Sequence, residues 1–162
     1  MNSIKTLLMA IILLLSVTFV NAQIKKGDTF PNIQFQNNKN KTIQLNSYKG
    51  KTVLVDFWAS WCPNCRAASK DLVAFYDKYK GQNFEIVGIS VDEDKTKWLK
   101  AIEKDKMKHP QLIDPKGFNA ESVAAFGIKG LPSTYLFDSS GKLVAINPTE
   151  AQIIAQIKKK QI

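Results

Sequence analysis

The chain has 162 residues, of which 44% are hydrophobic and 23% are charged, and its formal net charge at pH 7 is +9. This length is that of one domain, which can bury about two thirds of the surface that its unfolded chain exposes. The lysines are spread along the chain without interleaved aromatic residues, so the positive charge does not indicate a nucleic-acid partner.

Residues 1–22 have the features of a secretory signal peptide. An apolar stretch runs from Leu7 to Val20, and the residues that follow it predict cleavage after Ala22. The stretch is shorter than the ~20 residues that span a bilayer, although an uncleaved anchor is the alternative. The sequence therefore predicts an exported protein, periplasmic or secreted, whose domain comprises residues 23–162. It would contact a membrane only if the signal segment stays attached.

Hydrophobic patterns in the remaining chain predict alternating strands and helices. The predicted strands are residues 33–35, 42–45, 53–57, 84–91, 134–137 and 143–146. The predicted helices are residues 62–80, 95–106, 119–126 and a last one that begins at 150. Polar turns join the first two and the last two strands into hairpins, whereas residues 109–117 are predicted to be irregular. The pattern indicates an α/β domain with a mixed sheet between helices.

Cys62 and Cys65, the two cysteines of the chain, lie directly after the apolar strand over residues 53–57. Two intervening residues allow both sulfurs to meet within one helical turn, with Cys62 at the helix N-terminus. Unpaired backbone N–H groups and the helix dipole favour a thiolate there, so we expect the pKa of Cys62 to fall well below ~8.5. Pro63 suits the first helical turn, and Cys65 suits the role of a shielded resolving cysteine. The motif predicts thiol–disulfide exchange.

Two other interpretations of a single C-x-x-C pair remain open at this point. It could be half of a zinc site, but the chain has no second cysteine pair and His109 is its one histidine. The sequence therefore predicts no metal centre, and His109 is expected at the surface. The pair could also be an inert structural disulfide, although so short a loop would add little stability.

Four lysines recur along the predicted helix over residues 95–106 and just beyond it, namely Lys97, Lys100, Lys104 and Lys108. They fall opposite Trp98 and Ile102 on an amphipathic pattern. This arrangement is typical of a solvated helix face, and we interpret it so.

Residues 55–65 and 126–134 resemble the two halves of a thioredoxin active site, in the right order. The N-terminal hairpin, the segment 88–94 with its extra helix, and residues 136–143 resemble the TlpA/ResA branch of exported thioredoxin-like proteins. The resemblance covers nearly all of residues 27–160. It implies an α/β thioredoxin-like fold with a mixed central sheet, an N-terminal β-hairpin and an inserted helix.

The resemblance also implies roles for residues beside the cysteines. Pro132 matches the family's cis-proline, which leaves the backbone of Leu131 free to pair with an extended substrate strand. Asp56 matches the buried acid of thioredoxin, which could take the proton from Cys65; a solvated strand-end carboxylate is the alternative. Trp61 is expected to shape the docking surface.

The dipeptide between the cysteines and the positions after them depart from these relatives. We place Pro63 and Asn64 among the substrate-binding residues, together with Trp61 and Leu131. The Pro63-Asn64 dipeptide replaces the Gly-Pro of thioredoxin. The residues between the cysteines help to set how strongly the cysteine pair favours its reduced form. Many TlpA/ResA-like proteins have a glutamate and a proline where this chain has Ala68 and Lys70. A role for that glutamate therefore cannot be transferred.

The resulting prediction is a monomeric enzyme that reduces protein disulfides in the cell envelope. It would need no cofactor beyond the Cys62–Cys65 pair, and a membrane dithiol reductant would return electrons to it. A disulfide-forming oxidase or isomerase shares every motif. A peroxiredoxin-like peroxidase is a further alternative, but that family places proline and Thr/Ser where this chain has Val55 and Ala59. A non-catalytic binding module would not need both cysteines and Pro132.

Overall fold

A computed structural model describes residues 23–159. The predicted signal peptide and the last three residues lie outside this part of the chain. Between residues 23 and 159 no helix is long and apolar enough to cross a membrane.

A seven-stranded mixed sheet forms the centre of the molecule. Its strands are β1 (Gln34–Asn37), β2 (Thr42–Gln44), β3 (Thr52–Trp58), β4 (Phe84–Ser90), β5 (Gln111–Ile113), β6 (Ser133–Phe137) and β7 (Leu143–Ile146). Their order across the sheet is β2-β1-β5-β4-β3-β6-β7. Strands β3, β4 and β5 run parallel, and the other neighbouring pairs are antiparallel. Both predicted hairpins and the thioredoxin-like fold are confirmed.

In the described part of the chain, four α-helices cover the two faces of this sheet. They are α1 (Pro63–Tyr79), α2 (Lys95–Lys104), α3 (Glu121–Phe126) and α4 (Glu150–Lys158). Every residue of β3 and β4 is buried, as expected for parallel strands covered on both sides. Trp98 of α2 and Phe126 of α3 pack with Phe57 in one apolar cluster. Tyr79 of α1 and Ile153 of α4 pack with Leu54 in a second cluster.

The alternation of side chains along β3 decides which residues face which helices. Val53, Val55 and Phe57 point into the first cluster, whereas Leu54 points into the second. Asp56 therefore points towards the face that α1 and α4 cover. Because β3 ends beside the start of α1, the loop with the cysteines lies at the carboxyl edge of the parallel strands.

The region over residues 109–117 differs from the prediction. It contains β5, which pairs with β4 in parallel register, and a short 3-10 helix, Gly117–Asn119. A three-residue strand is too short to show a hydrophobic period, and its pairing comes from tertiary contacts. The predicted surface position of His109 is also wrong: 4% of the residue is exposed, and its ring lies 5.7 Å from that of Tyr76. Burial lowers the pKa of His109 to about 4.

Helix boundaries agree closely with the sequence prediction. The predicted helix over 95–106 ends at Lys104, and Lys106 has a positive φ of 53° that no α-helix accommodates. The last helix begins as expected after Thr149, whose hydroxyl accepts from the amide of Gln152 while the Gln152 side chain accepts from the amide of Thr149.

Candidate active site

The cysteine pair sits where the loop from β3 becomes helix α1. Cys62 is the N-cap of α1 and Pro63 is its first residue, so the predicted position of Cys62 at the helix start is confirmed. The two sulfurs form a disulfide, with the Cα atoms 5.3 Å apart. The amide of Cys65 donates to Sγ of Cys62 at 3.2 Å. A backbone donor and the positive end of the helix dipole are thus directed at this sulfur, an arrangement that stabilises negative charge on Cys62.

Within residues 23–159 no group of three or more His, Cys, Asp or Glu side chains could hold a metal ion.

Asp92 holds the loop before Cys62 and was not recognised as a site residue from the sequence. It follows β4 and is 1% exposed. Its carboxylate accepts from the amide of Ser60 at 2.8 Å, from the hydroxyl of Ser60 at 2.6 Å and from the hydroxyl of Ser90 at 2.6 Å. Three bonds to one buried carboxylate therefore fix the loop that carries Cys62 to the end of β4. The acid and the serines are visible in the sequence, but their meeting depends on the pairing of β3 with β4.

Arg66 secures the same loop from the helix side. Nη1 of Arg66 donates to the carbonyl oxygen of Ser60 at 3.1 Å. Nη2 donates to Asp105 at 2.7 Å, and Nε donates to the other oxygen of that carboxylate. This bidentate pairing fixes the orientation of the guanidinium, because its two N–H groups lie in one plane and match the two oxygens of the carboxylate.

An Asp92→Asn variant is expected to lose about 2 to 4 kcal/mol of unfolding free energy, because an amide has one acceptor oxygen and hydrogen bonds to a charged group contribute ~1.5–3 kcal/mol each. The dithiol–disulfide equilibrium with glutathione should shift as well, since the loop carries Cys62. Urea unfolding and thiol quantification measure the two effects.

The matched control is Ser90→Ala, which removes the bond from the Ser90 hydroxyl to the Asp92 carboxylate and the bond from the Asp92 amide to the Ser90 hydroxyl, and leaves both bonds to Ser60. It should lose about 1 to 3 kcal/mol and keep the redox equilibrium. An unchanged redox equilibrium in Asp92→Asn, as in this control, would show that Asp92 does not position the cysteine loop.

Asp56 lies in the middle of β3, between Gly88 of β4 and Thr134 of β6. It is 5% exposed, and burial raises the pKa of its carboxyl to about 7. The predicted burial of this acid is confirmed, and the solvated strand-end alternative is wrong. At neutral pH the group is present in both protonation states, which is what a proton acceptor and donor requires.

A cavity of about 230 Å³ connects Asp56 with the cysteine helix and the proline loop. Ala68, one turn after Cys65, lines it together with Pro132. Asp71 and Glu150, both exposed, lie on the same lining. The cavity therefore gives the buried carboxyl a route along which protons can reach solvent. Ala68 occupies the place of the glutamate found in many TlpA/ResA-like proteins, so the acids on this route come from other positions.

The peptide bond between Leu131 and Pro132 is cis, as expected from the resemblance. Leu131 is partly buried and packs against the first apolar cluster, whereas Pro132 is exposed. The hydroxyl of Ser133 donates to the carbonyl oxygen of Gly130 at 2.7 Å and closes this turn. The structure thus brings the proline loop to the cavity that Asp56 and α1 line.

The surface beside the disulfide is aromatic. Trp61 is 55% exposed and Phe118 is 48% exposed, and their ring centroids are 6.2 Å apart. Pro63 and Asn64, which follow Trp61 and Cys62 along the chain, are also exposed. Phe118 was not identified from the sequence, because a single aromatic residue in a short 3-10 helix carries no signal. Four side chains around the cysteines are thus available to an approaching protein.

A sheet of this topology, with its cysteine pair joined at the start of α1, defines a class: proteins of the thioredoxin fold that carry out thiol–disulfide exchange. A sequence model of the AhpC/TSA family matches residues 26–146. ResA, a thiol-disulfide oxidoreductase from Bacillus anthracis, is 31% identical over 136 residues, which are 84% of this chain and 73% of that protein. The chain therefore belongs to the thioredoxin-like AhpC/TSA family and, within it, is a relative of the ResA thiol–disulfide oxidoreductases.

Two further comparisons agree with this assignment. ResA from Bacillus thuringiensis subsp. konkukian is 30% identical over 118 residues, which are 73% of this chain but only 66% of that protein's length. The crystal structure of the thioredoxin domain of a Bacteroides vulgatus thiol-disulfide oxidoreductase has a TM-score of 0.75 and 33% identity, covering 85% of this chain and 98% of that one. These relatives support an oxidoreductase over a peroxidase, and Ala59 offers no hydroxyl beside the cysteine.

Proposed function

We propose that this protein reduces disulfides of exported proteins, with Cys62 as the attacking sulfur and Cys65 as the resolving one. The observation that carries this assignment is the Cys65 amide, which donates to Sγ of Cys62 at the N-terminus of α1. A donor and a helix dipole directed at one sulfur favour the thiolate there. Cys65 is the less exposed of the two, at 2% against 6% for Cys62.

The reaction starts from the reduced dithiol. The Cys62 thiolate attacks one sulfur of the client disulfide; a Cys62–client bond forms, the client S–S bond breaks, and the other client sulfur leaves as a thiolate that takes a proton. Cys65 then loses its proton and attacks Sγ of Cys62. The second client sulfur leaves, and the client has gained two electrons and two protons, while Cys62 and Cys65 are joined in a disulfide.

Asp56 is proposed as the base that accepts the proton of Cys65. Its carboxyl is buried with a raised pKa of about 7, and its cavity extends to Ala68 on the cysteine helix. Deprotonation of Cys65 speeds the step that releases the reduced client. Asp71 and Glu150 on the same cavity lining would pass the proton to solvent.

Client binding is assigned to the surface around the disulfide. The backbone of Leu131 would pair with an extended client segment, while Trp61, Pro63 and Asn64 would contact its side chains. The proposed catalytic set is therefore Cys62, Cys65, Asp56 and Pro132.

The proposed compartment is the periplasm or the exterior, after export by residues 1–22. An isolated dithiol there becomes oxidised unless another dithiol reduces it, so a membrane reductant facing the same space would complete the cycle. No cofactor other than the cysteine pair enters the proposal, and the protein is proposed to act as a monomer.

Equilibration with glutathione tests the direction of the reaction. We expect a potential near that of thioredoxin, ~−270 mV, and reduction of insulin when the dithiol is regenerated chemically. A potential near that of the oxidant DsbA, ~−120 mV, with rapid oxidation of a reduced client, would instead identify a disulfide-forming oxidase. Consumption of peroxide with no activity on protein disulfides would identify a peroxidase.

A further inference from the structure

A groove of about 280 Å³ lies directly beside the redox centre. Trp61, the residue before Cys62, and Arg66 of α1 line it together with three lysines of α2: Lys97, Lys100 and Lys104. The groove therefore runs from the cysteine loop along one side of α2. A polypeptide that presents a disulfide to Cys62 can continue into it within a few residues.

The positive charge of the three lysines in this groove is poorly compensated. The guanidinium of Arg66 is paired with Asp105. Lys97 has only a 3.9 Å contact with Asp94, in which both side chains are largely exposed, at 72% and 49%. Within residues 23–159, Lys100 and Lys104 make no ion pair with another side chain. No acidic residue of the described part of the chain lines the groove, and Asp92, which bonds to Ser60 of the lining, is buried behind it.

The spacing of these lysines is unfavourable for the helix itself. Lys97 and Lys100 are three residues apart, and Lys100 and Lys104 are four apart, so their charges face each other across successive turns. Like charges at these spacings destabilise a helix. A helix face that is only solvated does not need all three lysines on one side. The row formed by these lysines lines the groove beside the cysteine loop.

Trp61 supplies the second part of the surface. It is half exposed and borders the groove on the side nearest to Cys62. An occupant must therefore offer carboxylates to the lysines and apolar surface to an indole. A polypeptide with acidic residues close to its cysteine fits both demands.

We propose that this groove binds an acidic segment of the client protein, next to the disulfide that Cys62 attacks. The inference rests on the proposed reductase function and adds its substrate class. It also revises the interpretation of Lys97, Lys100 and Lys104 as a solvated face. The attraction would raise the rate of encounter and fix the direction in which the client lies across the disulfide.

Two synthetic disulfide-closed peptides test this proposal. They share one sequence except that four residues after one cysteine are Asp and Glu in the first peptide and Asn and Gln in the second. The reduced enzyme should act on the acidic peptide with a kcat/KM about tenfold higher at low ionic strength, as expected for about three exposed ion pairs. The ratio should fall towards one as salt is added.

Two triple variants locate the effect. The groove variant replaces Lys97, Lys100 and Lys104 together by Gln, and it should bring the ratio of the two kcat/KM values to about one. The control variant replaces Lys39, Lys41 and Lys158 together by Gln. These lysines are exposed and do not line the groove, so the control changes the net charge by the same amount and should keep the ratio. Equal loss in both variants would overturn the groove proposal, because net charge alone would then explain the preference.

A binding measurement separates failure of the groove from failure of the reductase function. The acidic peptide with serine in place of both cysteines should shift the NMR signal of the Trp61 indole in the unmodified protein and not in the groove variant. If the serine peptide causes these shifts but neither disulfide peptide is reduced, the proposed reductase function is wrong and the proposed binding groove is supported. If no signal shifts and both disulfide peptides are reduced at equal rates, the groove proposal fails alone.

Vesicles of phosphatidylcholine and phosphatidylglycerol test a different occupant of the same surface. Loss of vesicle binding in the groove variant, with the peptide ratio unchanged, would show that the lysines contact a membrane. That outcome would overturn the proposal of an acidic client.

Discussion

A Cys65→Ser variant is expected to accumulate mixed disulfides with client proteins, whereas a Cys62→Ser variant should accumulate none. The first variant keeps the sulfur at the N-terminus of α1 and loses the group that would release the client. The second loses the attacking sulfur, and Cys65 is nearly inaccessible at 2% exposure. Turnover of protein disulfides should fall to background in both. Non-reducing electrophoresis and mass spectrometry of the trapped complexes measure the difference.

The two variants control for each other, because each removes the same disulfide and one sulfur. Any loss of stability from the missing bridge is therefore shared, and it should be small for so short a loop. Asymmetric trapping must then come from the positions of the two sulfurs. Trapping by Cys62→Ser alone would reverse the assignment, and equal trapping by both would mean that either sulfur can attack.

The parts of the fold that the sequence predicts well are those that local patterns determine. Strands β3 and β4 are mostly apolar runs, and α4 begins after a capping residue, Thr149, with an acid, Glu150, in its first turn. The cysteine pair needs only its spacing and the preceding strand to be placed at a helix start. Asp56 is recognisable as a buried acid because apolar residues flank it on both sides.

The parts that the sequence misses depend on contacts between distant segments. Residues 111–113 form a strand because they pair with β4. His109 is buried because α1, which carries Tyr76, packs against this region. Asp92 reaches Ser60 across the end of the sheet, 32 positions away along the chain. The lysines of α2 have the ordinary pattern of a solvated face, and only the groove beside Trp61 distinguishes them.

An Asp56→Asn variant is expected to be more stable than the unmodified protein at neutral and alkaline pH, by up to about 4 kcal/mol. The folded carboxyl has a pKa of about 7, against ~4 in the unfolded chain. Between these values the folded protein holds a proton that the unfolded chain has lost, so the contribution of Asp56 to stability falls as pH rises from 4 to 7. An amide has no such charge to bury.

His109 affects the pH dependence of the unfolding free energy in the opposite direction between pH 4 and 6.5. Its pKa in the folded protein is about 4, against ~6.5 when unfolded, so the unfolded chain binds a proton that the folded protein excludes. The stability that neutral His109 contributes is therefore lost as pH falls from 6.5 towards 4. In the unmodified protein, the effects of Asp56 and His109 on the unfolding free energy nearly cancel between pH 4 and 6.5. In Asp56→Asn, of these two effects only that of His109 remains. The unfolding free energy of this variant should therefore rise from pH 4 to 6.5 and then level off.

Urea unfolding of the oxidised proteins from pH 4 to 9 measures these curves. The difference between Asp56→Asn and the unmodified protein should grow steadily from pH 4 to about 7 and then stay constant. Asp71→Asn is the matched control, because it removes an exposed carboxyl from the lining of the same cavity, where solvent reaches the group in both states. A difference that does not change with pH would show that Asp56 is not a buried titrating group.

The same variant separates a base from a merely structural residue. Resolution of a mixed disulfide by Cys65 should slow by up to about 100-fold at pH 7, the lower end of what a positioned base contributes, while the first attack by Cys62 should change little. In the unmodified protein the resolution rate should rise through a midpoint near the pKa of Asp56, about 7, and this rise should be absent in Asp56→Asn. Stopped-flow measurement of the two steps with a fluorescent disulfide substrate distinguishes them. Because the variant is expected to be the more stable protein, slower resolution cannot be attributed to unfolding, and equal slowing of both steps would remove Asp56 from the proton transfer.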